Sequence, residues 1–158
     1  MKDEALAPVN YKVEELPIAK PTDDSRGKVE TDVRRLINIT AEQQGGRRAI
    51  LDWLRLEFGI DKPSQKLQDV ARLDADGLAA EVKKARGRSK PLSVGEVKRL
   101  KQEHADSVVL LQALADETRT LESRVSDLVN AAYGLTPDEI ALMWQTAPPR
   151  MPIPPPAT

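Results

Sequence analysis

The sequence predicts an all-α fold built on a long antiparallel helical hairpin, coiled-coil-like in its packing. Three observations predict it. First, Val97, Leu100, His104, Ser107, Leu111, Leu114, Thr118, Leu121, Val125, Leu128 and Ala132 recur with alternating steps of three and four, a heptad seam over about five heptads. Second, a stretch of similar length, Thr22 to Phe58, carries its own apolar face. Third, 31% of the 158 residues are charged and only 3% aromatic, a balance that suits long solvated helices better than a thick globular core.

Residues 1–21 read as an extended N-terminal segment. Val9, Tyr11 and Val13 alternate with polar residues, and Pro17 and Pro21 prevent a helix from starting between them. A strand without a partner is unstable, so this segment suggests that something upstream is missing. Residues 22–147 read as a helical spacer or docking domain. Its first helix gains capping and favourable dipole charge from Asp23 and Asp24 and presents Val29, Val33, Leu36, Ile37 and Thr40, then Ala49, Ile50, Trp53, Leu54 and Phe58. Gly45-Gly46 is expected to bend or break it, with Thr40 and Gln43 as a capping box for a restart, and Gly59 to end it.

Residues 60–92 form an excursion. Pro63 keeps Lys62 out of the helical region, Asp74 caps a short helix covering Leu78 and Val82, and Arg86-Gly87-Arg88-Ser89-Lys90-Pro91 reads as an exposed basic loop. Ser93 and Glu96 then form a capping box for a helix over residues 94–132, about 58 Å long. The seam's polar positions, His104, Ser107 and Thr118, favour packing against the first helix over a parallel dimer. Leu100, Leu111, Leu114, Leu121, Val125 and Leu128 are its packing residues, with Trp53 opposite. Thr136, Pro137 and Glu139 start a last short helix presenting Ile140, Met143 and Trp144, and residues 148–158 form a Pro-rich, polyproline II or disordered tail.

A net charge of −1 conceals segregation. Residues 1–32 are acidic on balance, and residues 102–139 are more strongly so. Between them lie Lys83, Lys84, Arg86, Arg88, Lys90, Lys98, Arg99 and Lys101, opposed only by Glu96. Such a cluster suits phosphate groups, and Lys83, Lys84, Arg86, Arg88 and Lys90 are the expected DNA-backbone contacts. The competing reading is a solvated loop offset by the acidic helix beside it.

Catalytic chemistry has little to draw on. There is no Cys, which removes disulfides, zinc-thiolate sites and thiol nucleophiles, and His104, the one His, falls on the seam. No glycine-rich phosphate loop occurs. Glu81-Val82-Lys83 and Glu96-Val97-Lys98, with Asp69 or Asp74, imitate a metal-dependent nuclease pair, but both copies lie on helix-patterned segments where the spacing arises by chance. Trp53, Phe58 and Trp144 could stack on bases, yet Trp53 and Phe58 share an apolar face with Ile50 and Leu54, which favours core packing. No run of about 18 apolar residues spans a membrane and no apolar leader opens the chain, so a cytoplasmic protein without a membrane partner is expected. No metal or cofactor is expected.

The run Ala49-Ile50-Leu51-Asp52-Trp53-Leu54-Arg55-Leu56-Glu57-Phe58-Gly59-Ile60-Asp61-Lys62-Pro63-Ser64-Gln65-Lys66-Leu67 and the run Asp127-Leu128-Val129-Asn130-Ala131-Ala132-Tyr133-Gly134-Leu135-Thr136-Pro137-Asp138-Glu139-Ile140 resemble the C-terminal region of type IIG restriction proteins and related phage-defence adenine-N6 DNA methyltransferases. Leu16-Pro17-Ile18-Ala19-Lys20-Pro21 before a long helix is similar to the exit from a target-recognition domain into a spacer helix, as in type I specificity subunits. In that family methyl transfer uses an Asn-Pro-Pro-Tyr-type motif and a glycine-containing S-adenosylmethionine loop. Neither occurs here, so no catalytic residue carries over. The resemblance implies a non-catalytic module that supports target recognition, contacting DNA backbone, a methyltransferase or a recognition subunit. It also implies a split subunit, a fragment or a gene remnant. The rival expectation is a stand-alone homo-oligomerisation module using the seam around Leu111–Leu128.

Overall fold

The computed structural model describes residues 18–87 and 91–146. Among these residues the regular elements are all helical: α1 (Asp23–Phe58), α2 (Gln65–Gln68), a 3-10 turn (Val70–Arg72), α3 (Ala75–Arg86), α4 (Val94–Glu103), a π-helical turn (His104–Val108), α5 (Val109–Ala132) and α6 (Pro137–Thr146). The extended reading of residues 1–17 and the Pro-rich tail from Pro148 lie outside the described residues.

α1 starts at the expected place, but Thr22 is the cap. Its side chain accepts the Ser25 N–H at 3.2 Å, while Asp23 and Asp24 sit in the first turn against the helix dipole. The helix then runs unbroken through Gly45-Gly46. No restart box forms: the Thr40 hydroxyl donates back to the Leu36 carbonyl at 2.8 Å, and Gln43 reaches across to Thr118. Gly46 is there because α5 comes close, since a Cβ at Gly46 would lie 2.9 Å from Leu111 Cδ2. α1 ends at Gly59, whose left-handed φ of 66° lets its N–H close on the Arg55 carbonyl.

α4, the π turn and α5 form one continuous second arm. Asp32 meets Arg124, Arg35 meets Glu117, Gly46 meets Leu111 and Glu57 meets Arg99, so the two long elements run antiparallel in a single register. Every residue of the expected α4–α5 seam is buried or half-buried. The π turn adjusts it locally: His104 and Val108 are buried and Ser107 is half-buried, so the most covered position falls one residue later than the heptad pattern places it.

Six of the ten expected α1 face residues, Val29, Leu36, Ile50, Trp53, Leu54 and Phe58, are buried or half-buried, and four are not. Val33, Ile37, Thr40 and Ala49 are exposed, Ile37 by 63%, whereas Asp32 and Ile39 are buried and Gln43 and Gly46 half-buried. The inward positions of this half mix Asp32, Gln43 and Gly46 with Val29, Leu36 and Ile39, so hydrophobicity alone also points to the neighbouring positions.

The excursion folds against one end of the hairpin and makes a head. Ser64 caps α2 and Asp74 caps α3, each accepting the N–H three residues on. Leu67, Val70, Leu78 and Val82 then pack with Ile50, Leu54, Phe58, Ile60 and Leu100 in one apolar cluster. His104 joins it as the buried polar member. Its Nε2–H donates to the Leu73 carbonyl at 2.9 Å, a carbonyl that also accepts from Gln112. Among the described residues, the arm beyond the head is a two-helix ribbon of α1 and α5.

Candidate nucleic-acid interface

The basic elbow sits on the head, where α3 turns back toward α4. α3 buries Leu78 and Val82, so Lys83 and Lys84 fall on its outer side and are exposed. Neither makes an ion pair among the described residues. Lys98 on α4 is likewise exposed and unpaired among them. Arg88 and Lys90 lie outside the described residues.

Arg86 is engaged within the protein. Its Nη1 lies 2.6 Å from Glu96 Oε1, its side chain is mostly covered, and its guanidinium stands 5.9 Å from the Phe58 ring centroid. Glu96 is the N3 residue of the α4 capping box, accepting the Ser93 backbone N–H at 2.7 Å while Ser93 accepts the Glu96 N–H. These bonds from Ser93, reinforced by Arg86, hold the Glu96 carboxyl down at about 2. Arg86 thus closes the loop between α3 and α4. Two further bases of the cluster are employed similarly. Arg99 pairs with Glu57 at 2.8 Å, and Lys101 pairs with Asp76 at 2.7 Å, which keeps the Asp76 carboxyl below its ordinary range. Charge along the chain does not separate these ties from free lysines, because each partner comes from another element. The expected patch of five therefore contributes Lys83 and Lys84 among the described residues. Lys98, outside the expected five, joins them.

The packing residues fall where the hairpin closes. Leu100, Leu111, Leu114 and Leu121 are buried, Val125 and Leu128 half-buried. Trp53 lies half-buried against the core, edge-on to Phe58 with ring centroids 5.2 Å apart, and so faces protein rather than a base. α6 begins as expected, with Thr136 and Glu139 exchanging bonds, but none of its residues is buried: Ile140 and Trp144 are half-covered and Met143 is exposed.

Glu81 and Glu96, the acids of the nuclease-like pairs, are taken by other partners. Glu81 accepts from Ser64 and lies 3.6 Å from Lys66. Among the described residues no group of three or more His, Asp or Glu side chains converges as a metal site. Nor is any helix among them long and apolar enough to cross a membrane.

Both ends of the described hairpin meet at the pole opposite the elbow. Ala19, Pro21 and Val29 from one side, and Leu128, Val129 and Tyr133 from the other, line a shallow apolar groove.

Comparison with curated proteins and with solved structures finds no match. A family model described as Domain of unknown function (DUF8810) matches residues 22–129, a stretch that opens at the cap of α1, takes in the head and ends near the close of α5. With that match covering well over half its length, the chain belongs to this family.

Proposed function

We propose that the chain is a non-catalytic helical arm of a DNA restriction-modification methyltransferase system, a spacer that docks on a methyltransferase or recognition subunit and touches DNA backbone through its elbow. The observation that carries this reading is the pair Lys83 and Lys84, exposed and free of ion pairs among the described residues. They sit at one end of a second arm that spans residues 94–132, about 58 Å at 1.5 Å per residue, while the start of the first long helix and the end of α5 meet at the other. A cationic tip held that far from its attachment suits sequence-independent phosphate contact, which positions without specifying. The resemblance of residues 49–67 and 127–140 to methyltransferase C-terminal regions supplies the system.

The test is duplex binding as a function of salt, for the wild type and for the variant Lys83→Ala/Lys84→Ala/Arg88→Ala/Lys90→Ala. Arg86 stays, because its removal would open the α3–α4 loop. The wild type is expected to bind with an affinity that falls with salt. The variant should bind more weakly and with a shallower slope, by about 0.9 for each phosphate that is no longer neutralised. Equal binding by both proteins, or binding by neither, removes the DNA contact.

A second reading, a self-associating interaction module, draws on α6, whose Leu142 and Met143 are exposed. The seam around Leu111–Leu128 lends it less support than α6 does, since α1 packs along that seam within the same chain. A stable dimer in light scattering over a range of concentrations, with no DNA affinity, favours this second reading.

A further inference from the structure

Away from the elbow, a cleft of about 230 Å³ opens where the 3-10 turn of the head meets α1 and α5. Its walls carry three arginines from three separate elements: Arg47 of α1, Arg72 of the 3-10 turn and Arg119 of α5. Leu111 and Ala115 also line it, at the level where Gly46 lets the two long helices close. Asp69 is the sole carboxylate in the lining. It lies 2.8 Å from Arg72 and, at 4.0 Å, at the edge of ion-pair reach of Arg47. Arg119 pairs with Asp116 one turn back on its own helix. Gln43 supplies an amide from the α1 side.

Counting both aspartates, the cleft keeps an excess of positive charge. Three arginines line one small gap, and a single carboxylate in that lining only partly offsets their charge. The guanidinium fork matches the oxygens of a tetrahedral oxyanion in a way an ammonium does not. All three arginines keep much of their side chain open to solvent, so they can turn toward an incoming anion without unfolding anything.

We propose that this cleft binds a phosphate group, with Arg47, Arg72 and Arg119 as its donors and Asp69 as the carboxylate whose place on Arg72 the anion takes. The inference does not rest on the DNA reading of the elbow. The phosphate belongs either to a small phosphorylated molecule or to a nucleic-acid backbone, and the two sources separate by experiment.

Inorganic phosphate is titrated into the full chain by calorimetry at low salt. Saturable binding is expected. Arg47→Gln/Arg72→Gln should weaken it about tenfold or more. Arg119→Gln serves as a second variant on a different element. Asp69→Asn should strengthen binding, because it removes the competing carboxylate. Lys83→Ala/Lys84→Ala should leave it unchanged. The unchanged lysine variant, which loses as much charge as the arginine pair, separates the cleft from net charge. Absence of saturable binding, or equal binding by wild type, arginine variants and the lysine variant, overturns the proposal. In the second arm, duplex binding is measured with Arg47→Gln/Arg72→Gln. A loss parallel to the phosphate loss assigns the group to nucleic acid. Unchanged duplex binding alongside abolished phosphate binding assigns it to a small phosphorylated molecule.

Discussion

The head and the arm of this protein are made from the same two long helices, yet they are held together by different physics. Of the nine largest fully buried side chains among the described residues, eight belong to the head and Ile39 lies on the arm. In the head the excursion supplies a third layer, so Leu54 and Leu100 are enclosed on all sides. Along the arm, among the described residues, α1 and α5 pack mainly on each other. Their contact is a narrow seam in which Asp32 takes a position that an apolar residue would otherwise fill, paired with Arg124 through two bonds. Farther along, Arg35 grips Glu117 with two bonds and also reaches Glu42. Glu117's carboxyl is lowered by Arg35 and Asp32's by Arg124. Burial stabilises the head. In the arm, directed charge pairs choose the register, a role for which buried polar groups are best suited.

The largest effect that can break this comparison comes from truncating the core on each side of it. Leu54→Ala opens a void in a fully enclosed site and should cost about 2–5 kcal/mol. Val125→Ala removes a half-buried side chain from the arm, where its neighbours can close up or water can enter, and should cost about 1 kcal/mol. Urea denaturation of both variants gives the difference directly. Equal losses would mean that the arm is packed as a core and that the division is false.

The Asp32–Arg124 pair comes next. Arg124→Met strands a carboxylate that is only 3% exposed, whereas Asp32→Leu/Arg124→Met replaces the pair with apolar packing. The single variant should be clearly less stable than the double, and the double should lie near the wild type. The pH dependence carries a second sign. In the wild type the folded Asp32 carboxyl lies below its ordinary 3.8, so its contribution is complete above that value and is lost as pH falls through the lower folded one. In Arg124→Met burial acts unopposed and pushes the carboxyl up, so that variant gains on the wild type as pH falls. Melting curves from pH 7 to pH 3 should show the gap narrowing. A single variant no worse than the double, or a gap that widens in acid, would show that the pair does not specify the arm.

The same division decides what can be read from the sequence. Signals that live within one turn of helix are legible: the Ser93–Glu96 box, the Asp74 cap, the Gly59 stop and the Thr136–Glu139 start. The α4–α5 seam is legible because its periodicity is sustained and mostly apolar. Two kinds of feature are not. One is an inward face written in polar letters, as at Asp32 and Gln43, where the apolar Val33 and Ile37 next door mislead. The other is a tie between distant elements, such as Arg86 to Glu96 or Arg99 to Glu57, which turns a base from a ligand-binding candidate into a structural group. The π turn at His104–Val108 belongs to neither kind. It leaves no mark beyond a seam that works equally well one residue off.

Gly45 and Gly46 mark the border between the two regions, and they give the smallest and sharpest test. Read as a pair they predict a break, yet the helix passes through both. The structure separates them. A Cβ at Gly45 meets nothing within 4 Å, so Gly45→Ala should gain the full helix-propensity difference, about 1 kcal/mol. At Gly46 the same Cβ would meet Leu111 Cδ2 at 2.9 Å, and Leu111 is buried on the opposite helix. Gly46→Ala should therefore show no gain, and Gly46→Leu should cost about 1–3 kcal/mol by forcing the helices apart. Combining Gly46→Ala with Leu111→Val should recover stability beyond the sum of the two changes, since Val shortens the side chain that the new methyl meets. Equal gains from alanine at both positions would show that the long helices do not close at Gly46, and that the arm joins the head more loosely than the contact with Leu111 implies.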